Sequence, residues 1–160
     1  MPANASVALD AFDLAILDLL QRDATLPQRD IAQAVHLSAP AVQRRIRRLR
    51  ESGVIRAEVA VLDASRVGQP LTLLVEVHIH DEHPLRVAGL HARVAAEPAV
   101  QQCYAITGEA DYLLVVTAAT MADYQQLAKR LFGGDDNVRR FRTSVALDCL
   151  KVGLHVPLPV

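Results

Sequence analysis

The stretch from Ser38 to Gly53, SAPAVQRRIRRLRESG, decides how the first third of the chain folds. Its apolar residues recur at spacings of four and three, which places them on one face of a helix. These residues are Val42, Ile46 and Leu49. Ser38 is a suitable N-cap, Pro40 fits the first turn, and Gly53 suits the position after the last turn. We therefore predict a helix from about Ala39 to Ser52.

The other side of this helix is basic. Between His36 and Arg56 a single acid, Glu51, stands against six arginines: Arg44, Arg45, Arg47, Arg48, Arg50 and Arg56. Such a run of arginines could simply be a solvent-exposed face of the helix, but solvent-exposed helices normally carry both positive and negative residues. Gln can pair with adenine and Arg with guanine, each through two hydrogen bonds. We predict DNA contacts from the start and outer face of the helix: Ser38, Pro40, Gln43, Arg44, Arg47 and Arg48. Arg45 lies beside the buried edge, where its stem can pack.

Two shorter helices precede the basic one. Asp10 can cap a helix that runs to about Gln21, and Pro27 suits the first turn of a second helix. Three helices with a tight turn before the basic one form a helix-turn-helix, whose recognition helix enters the major groove of double-stranded DNA. Two copies about 34 Å apart read a palindromic operator, which predicts a dimer. Val54–Ile55 and Val59–Leu62 predict a short β pair, or wing.

The second half alternates between strand and helix periods. Strands are predicted over Leu71–His80, Val100–Thr107, Tyr112–Ala118 and Val138–Lys151, and helices over Leu85–Ala96 and from Thr120. The order β-α-β-β-α-β is that of a ferredoxin-like α+β domain. We place a winged helix-turn-helix domain at 8–63, a hinge at 64–69 and the ferredoxin-like domain at 70–160. Leu71–Val75 is apolar on both faces, which suits a partner sheet.

Composition excludes several classes of protein. The chain has 160 residues, of which 51% are hydrophobic and 22% charged, with a net charge of −1. This is enough for one domain or two small ones, and it argues against disorder. No apolar run reaches the roughly 18 residues of a membrane helix, and the start, MPANASVALD, lacks the features of a secretory signal. Cys103 and Cys149 form no CxxC motif and are expected to be buried free thiols in a cytoplasmic protein.

Two further patterns have modest interpretations. His78, His80 and His83 lie beside Asp81 and Glu82, so a metal site is conceivable, but a strand end with solvent-facing histidines is favoured and no metal is predicted. Thr107–Tyr112, TGEADY, predicts a tight hairpin in which Gly108 supplies an unusual φ, and it lacks the features of a phosphate loop. His36 could touch a phosphate or cover the core. No catalytic signature or cofactor motif supports an enzyme.

Three segments together resemble one family. The stretch Leu9–Ile55, followed by VLDASRVG, is similar to the winged helix-turn-helix of the leucine-responsive regulatory protein/AsnC family, the feast/famine regulators. TGEADYLLVV resembles that family's Gly-x-x-Asp-Tyr turn, and RTSVALDCLK resembles its last strand, ending at Lys151. The resemblance covers about residues 8–157. Pro27 departs from the family's usual Ser or Thr cap, and Gly133–Asn137 replaces a Leu-Pro-Gly-like turn.

The resemblance implies a function for the second domain. In similar proteins the turn lies at a contact between dimers and helps to bind a small effector, commonly an amino acid. It implicates Gly108, Ala110, Asp111 and Tyr112, with Thr143 and Ser144 from the last strand, and it implies homodimers that assemble to octamers. Asp111 could accept an effector ammonium group, or only hold the turn or the next strand. The predicted function is a sequence-specific transcription regulator. An architectural DNA-binding protein and a DNA-tethered enzyme are the alternatives.

Overall fold

The structure is a computed structural model that describes residues 7–159. Most of the N-terminal stretch predicted not to be a secretory signal lies outside these residues. The chain divides into two compact units: one runs to Ala60 and takes in the chain from Lys151, and the other spans Val61–Leu150. In the described range no helix combines the length and the apolar character that membrane crossing requires.

The first unit contains the three predicted helices. They are α1 (Ala11–Arg22), α2 (Gln28–Ala34) and α3 (Ala39–Glu51). Asp10 caps α1 as predicted, and Gly53 after α3 has a φ of 75°, a left-handed value that favours glycine. The helices enclose an aliphatic core of Ile16, Ile31, Ala32, Val35, Val42 and Ile46. The Gln21 side chain exchanges two hydrogen bonds, of 3.1 and 2.7 Å, with the backbone of Val156 in the C-terminal segment.

The structure does not contain the predicted wing strands. Residues 54–62 form no strand, so the local β pair predicted at Val54–Ile55 and Val59–Leu62 is wrong. Val59, Val61 and Leu62 are exposed instead. Apolar alternation shows that a segment can fit a sheet, but a strand also needs a neighbour that accepts its backbone hydrogen bonds. Within the described residues of one chain this segment has no such neighbour.

The second unit has the predicted ferredoxin-like order. Its elements are β1 (Leu71–Ile79), α4 (Pro84–Ala96), β2 (Val100–Ala105), β3 (Tyr112–Ala118), α5 (Met121–Phe132) and β4 (Val138–Val145). The strands form one antiparallel sheet in the order β2-β3-β1-β4. Alternate residues of β1 and β3, such as Leu73, Val75 and Leu114, join apolar residues of both helices in one core. The helices therefore cover one face of the sheet and leave the other face open.

Three details of the second unit differ from prediction. β4 ends at Val145, opposite Leu73, rather than at Lys151, and β1 begins at Leu71, so no strand lies opposite Lys151. Cys103 and Cys149 are free but exposed, not buried. His78, predicted to face solvent, is buried at 2% exposure and lies next to an irregularity in the β1–β4 register. His83 is exposed, and its ring accepts a hydrogen bond from the Leu85 amide at the start of α4.

Candidate DNA-binding and effector sites

Helix α3 presents the surface that the sequence predicts. Val42, Ile46 and Leu49 are at most 3% exposed, so they fix which side of the helix faces the core. Because side chains three and four residues apart share a face, the remaining positions turn outward. All six residues predicted to contact DNA are exposed: Ser38, Pro40, Gln43, Arg44, Arg47 and Arg48. The first unit thus carries one helix with an aliphatic inner face and an outer face of amide and guanidinium groups.

The start of α3 is suited to approach another molecule. Ser38 occupies the N-cap position, but its side chain makes no capping hydrogen bond, so its hydroxyl can face a ligand. His36, in the preceding turn, is exposed and has a φ of 55°, which is rare for a residue other than glycine. His36 therefore does not cover the core. The other prediction for His36, contact with a DNA phosphate, remains a prediction.

The arginines of α3 fall into two groups. Arg50 pairs with Glu58, and both Arg45 and Arg48 pair with Asp13 of α1. Across residues 7–159, Arg44 and Arg47 have no acidic partner, and they lie in the middle of the outward face.

Arg45 is the most enclosed of these arginines. Its guanidinium carbon lies over the Phe12 ring, 5.5 Å from the ring centroid. Hydrogen bonds from its guanidinium to Asp13 and then to Asp10 raise its pKa above the ordinary arginine value, so it stays charged.

The predicted effector turn connects β2 to β3. Its backbone is tied at both ends, since the Ile106 amide donates to the Asp111 carbonyl and the Asp111 amide donates to Val77 (both 3.0 Å). Gly108 has a φ of 132°, which confirms the predicted unusual backbone. The Asp111 carboxylate oxygen Oδ2 accepts the Ile79 amide at 2.7 Å, so this acid does hold the neighbouring strand β1. Among the described residues no donor contacts its other oxygen, Oδ1.

A cleft of about 450 Å³ lies beside this turn. It is lined by Glu82, Pro84, Val87, Ala88, His91, Ala105, Ile106, Asp111 and Tyr112. The Tyr112 hydroxyl and the His91 Nε2 atom are 2.9 Å apart, and burial raises the pKa of the Tyr112 phenol, which keeps its proton available for donation. The cleft combines two carboxylates, two polar rings and an apolar wall.

The structure gathers some of the predicted effector residues and separates others. Asp111 and Tyr112 line the cleft, Ala110 is buried beside them, and Gly108 is exposed at the turn. Thr143 and Ser144 pair with β1 at Val75 and Leu74, and β1 lies between β4 and β3. They therefore do not face the turn within one chain. Thr143 instead bonds to the Tyr124 hydroxyl.

Sequence reasoning missed two residues of the cleft, Glu82 and His91. Glu82 was noted only beside the histidine cluster and His91 belongs to no motif, because a loop and helix α4 bring them to a turn that is distant in sequence. Asp13 was also missed, although its spacing of three from the cap Asp10 is that of a capping box and could have identified it.

Both halves of the chain match known protein families. Residues 9–56 match the winged helix-turn-helix DNA-binding family, and residues 72–154 match the Lrp/AsnC ligand-binding domain family. The leucine-responsive regulatory protein of Rhizobium meliloti is 33% identical over 152 residues, covering 95% of this chain and 97% of the relative. The chain belongs to the Lrp/AsnC family of transcription regulators. It therefore combines a DNA-binding helix-turn-helix with a ligand-binding domain.

Two solved structures of transcriptional regulators share the fold of this one. The AsnC family regulator of Agrobacterium tumefaciens has a TM-score of 0.86 and 32% identity, covering 93% of this chain and 97% of that one. A transcriptional regulator of Neisseria meningitidis, solved as a complex with L-Met, has a TM-score of 0.86 and 27% identity, covering 94% and 97%. That relative is thus a transcriptional regulator that holds an amino acid.

Proposed function

We propose that this regulator reads a palindromic operator in the major groove through the outward face of α3, and that an amino acid adjusts this binding. The observation that carries the proposal is the outward placement of Gln43, Arg44 and Arg47 on a helix whose other side is locked into the core. Ser38, Pro40 and Arg48 lie at the edges of this face. The protein acts in the cytoplasm, by binding rather than by catalysis.

The test of this DNA-binding role is selection from a random duplex pool, followed by affinity titration at one fixed salt concentration. Phosphate contacts bind every DNA sequence, and their strength depends on salt. Sequence recognition is therefore measured as the ratio of two affinities at the same salt concentration. We expect the selected duplex to bind at least about 10³-fold tighter than a shuffled duplex of the same composition. Two half-sites centred about one or more helical turns apart should emerge. Equal affinity for both duplexes would instead support the architectural alternative.

The cleft beside the β2–β3 turn suits an amino acid with an apolar side chain. Asp111 Oδ1 and Glu82 can accept hydrogen bonds from its ammonium group, and the Tyr112 hydroxyl or His91 ring can donate to its carboxylate. Val87 and Ile106 offer an apolar wall for the side chain. Gly108 and Ala110 shape the turn, and Thr143 and Ser144 contribute only if another copy of the chain brings its own β4 to the turn.

A thermal-shift screen of the twenty amino acids identifies the effector. A ligand that binds only the folded state at 100 times its Kd stabilises the protein by about 2.7 kcal/mol, which is readily detected. We expect apolar amino acids to raise the melting temperature and acidic ones to leave it unchanged, because Asp111 and Glu82 repel a side-chain carboxylate that the apolar wall cannot pair.

Homodimers, and octamers built from them, are the assembly that we propose. The open face of the sheet carries apolar side chains that helices do not cover: Leu74, Tyr104, Leu113 and Val115. A face of this kind normally packs against another sheet rather than against water. Light scattering at micromolar concentration should give at least twice the chain mass of 17.4 kDa. A mass of one chain would contradict this prediction, and Leu74→Lys should shift any dimer toward that mass.

A further inference from the structure

A carboxylate that is fully buried joins the first helix to the recognition helix. Asp13, in the first turn of α1, is 0% exposed, and it reciprocates the cap by accepting the Asp10 amide at 3.2 Å. Its Oδ1 accepts a hydrogen bond from Arg45 Nη1 at 2.8 Å, and its Oδ2 accepts one from Arg48 Nη2. Asp10 accepts a second bond from Arg45, also at 2.8 Å. A buried carboxylate without such partners would be strongly unfavourable, so these contacts are obligatory.

This contact has a consequence for orientation. Arg45 and Arg48 are three residues apart, so both lie on the side of α3 that faces α1. Holding both on one carboxylate fixes the rotation of α3 about its own axis. Gln43, Arg44 and Arg47 are thereby kept outward.

The same contact has a consequence for charge. Helix α3 has five arginines, of which Arg45, Arg48 and Arg50 are paired with acids. The two charges of Arg45 and Arg48 are balanced by Asp10 and Asp13, which leaves Arg44 and Arg47 as the helix cations without an acidic partner among residues 7–159. A free arginine binds any phosphate, and this adds affinity without sequence preference.

We propose that Asp13 is a specificity-determining positioning residue, which withholds Arg45 and Arg48 from DNA phosphates and keeps the base-reading side chains of α3 outward. This rests on the proposed DNA-binding role of α3 and revises the prediction for Arg48. The half-exposed Arg48 side chain lies at the edge of the DNA face, but its charge belongs to Asp13. Asp13 itself touches no DNA, since it is buried.

The test is Asp13→Asn, with Asp18→Asn as the matched control. Asp18 lies on the same helix and pairs with an arginine, Arg22, that is not on α3. Affinities for the selected duplex and a shuffled duplex are measured against salt concentration. Releasing two arginines should steepen the slope of log K against log salt on shuffled DNA by about 1–2, because each phosphate contact contributes about 0.9. Shuffled DNA should bind about tenfold tighter at 0.1 M salt. The selected duplex should not gain, because α3 also loses the contact that orients its base-reading side chains, so the specificity ratio should fall about tenfold.

Unchanged slopes and an unchanged ratio in folded Asp13→Asn would overturn the proposal, because a merely structural role predicts them. If Asp13→Asn does not fold, Arg48→Gln decides, since it keeps a donor for Asp13. We expect Arg48→Gln to leave the salt slope unchanged, whereas a reduction of about 1 would show a phosphate contact and overturn the proposal. Arg44→Gln is measured beside them as a check on the DNA-binding role of α3. If Arg44→Gln also leaves operator binding unchanged, the proposed DNA-binding role of α3 has failed, and the result does not bear on Asp13.

Discussion

Arg44→Ala and Gln43→Ala are each expected to weaken binding to the selected operator by about 1–3 kcal/mol, or roughly five- to 150-fold. Both side chains lie on the outward face of α3, near the end of the helix that meets base edges in a helix-turn-helix. A bidentate pair to guanine or adenine is lost with each substitution. Binding to shuffled DNA should change less, since it depends on phosphates. Fluorescence anisotropy with both duplexes at one salt concentration measures the difference.

Arg22→Ala is the control for these two substitutions. It removes an exposed arginine from the same unit but from α1, where it pairs with Asp18. Its operator affinity and specificity ratio should stay at the wild-type values. If Arg44→Ala and Gln43→Ala weaken operator and shuffled DNA equally, both residues contact phosphate only and the assignment of base recognition is wrong.

Asp111→Asn is expected to weaken effector binding by roughly 1.5–3 kcal/mol, or about ten- to 150-fold. Asparagine keeps the shape of the side chain and an oxygen that can accept the Ile79 amide, so β1 remains anchored. What it removes is the charge that pairs with the effector ammonium group. Calorimetric titration of wild type and variant with the amino acid that the thermal screen selects measures the loss.

Two further variants distinguish the interpretations of Asp111. Glu109→Gln removes a charge from the same turn at an exposed position that does not line the cleft, and it should bind the effector with wild-type affinity. Asp111→Ala also loses the bond to the Ile79 amide, so it should be less stable than Asp111→Asn by about 1 kcal/mol. Wild-type effector affinity in folded Asp111→Asn would mean that Asp111 only holds β1.

Local patterns predicted the elements whose partners lie close in sequence. The period of Val42, Ile46 and Leu49 placed the outward face of α3 correctly, because helix hydrogen bonds close within four residues and a buried stripe leaves the opposite side outward. The capped start at Asp10 and the end of α3 at Gly53 were likewise local. The segment Val59–Leu62 had an equally good strand pattern, yet a strand depends on a neighbour that a local pattern does not specify.

The effector site shows the same division at longer range. The family resemblance of the short contiguous motif TGEADY implied the turn residues Asp111 and Tyr112. Glu82 and His91 join them only through the folding of the sheet and α4, so no spacing reveals them. The separation of Thr143 from the turn also follows from topology, because β1 inserts between β3 and β4 in the sheet order.

An amino acid bound by the second unit is expected to change how the first unit binds DNA. The most direct test is titration of the operator duplex at fixed salt, with and without a saturating concentration of the amino acid selected by the screen. Linkage requires that the operator change effector affinity by the same factor, so calorimetry on the DNA complex gives an independent value. We predict a change of about five- to 150-fold in operator affinity, matched in both directions. Operator affinity that stays the same while the amino acid is bound would contradict the proposal that the amino acid adjusts DNA binding.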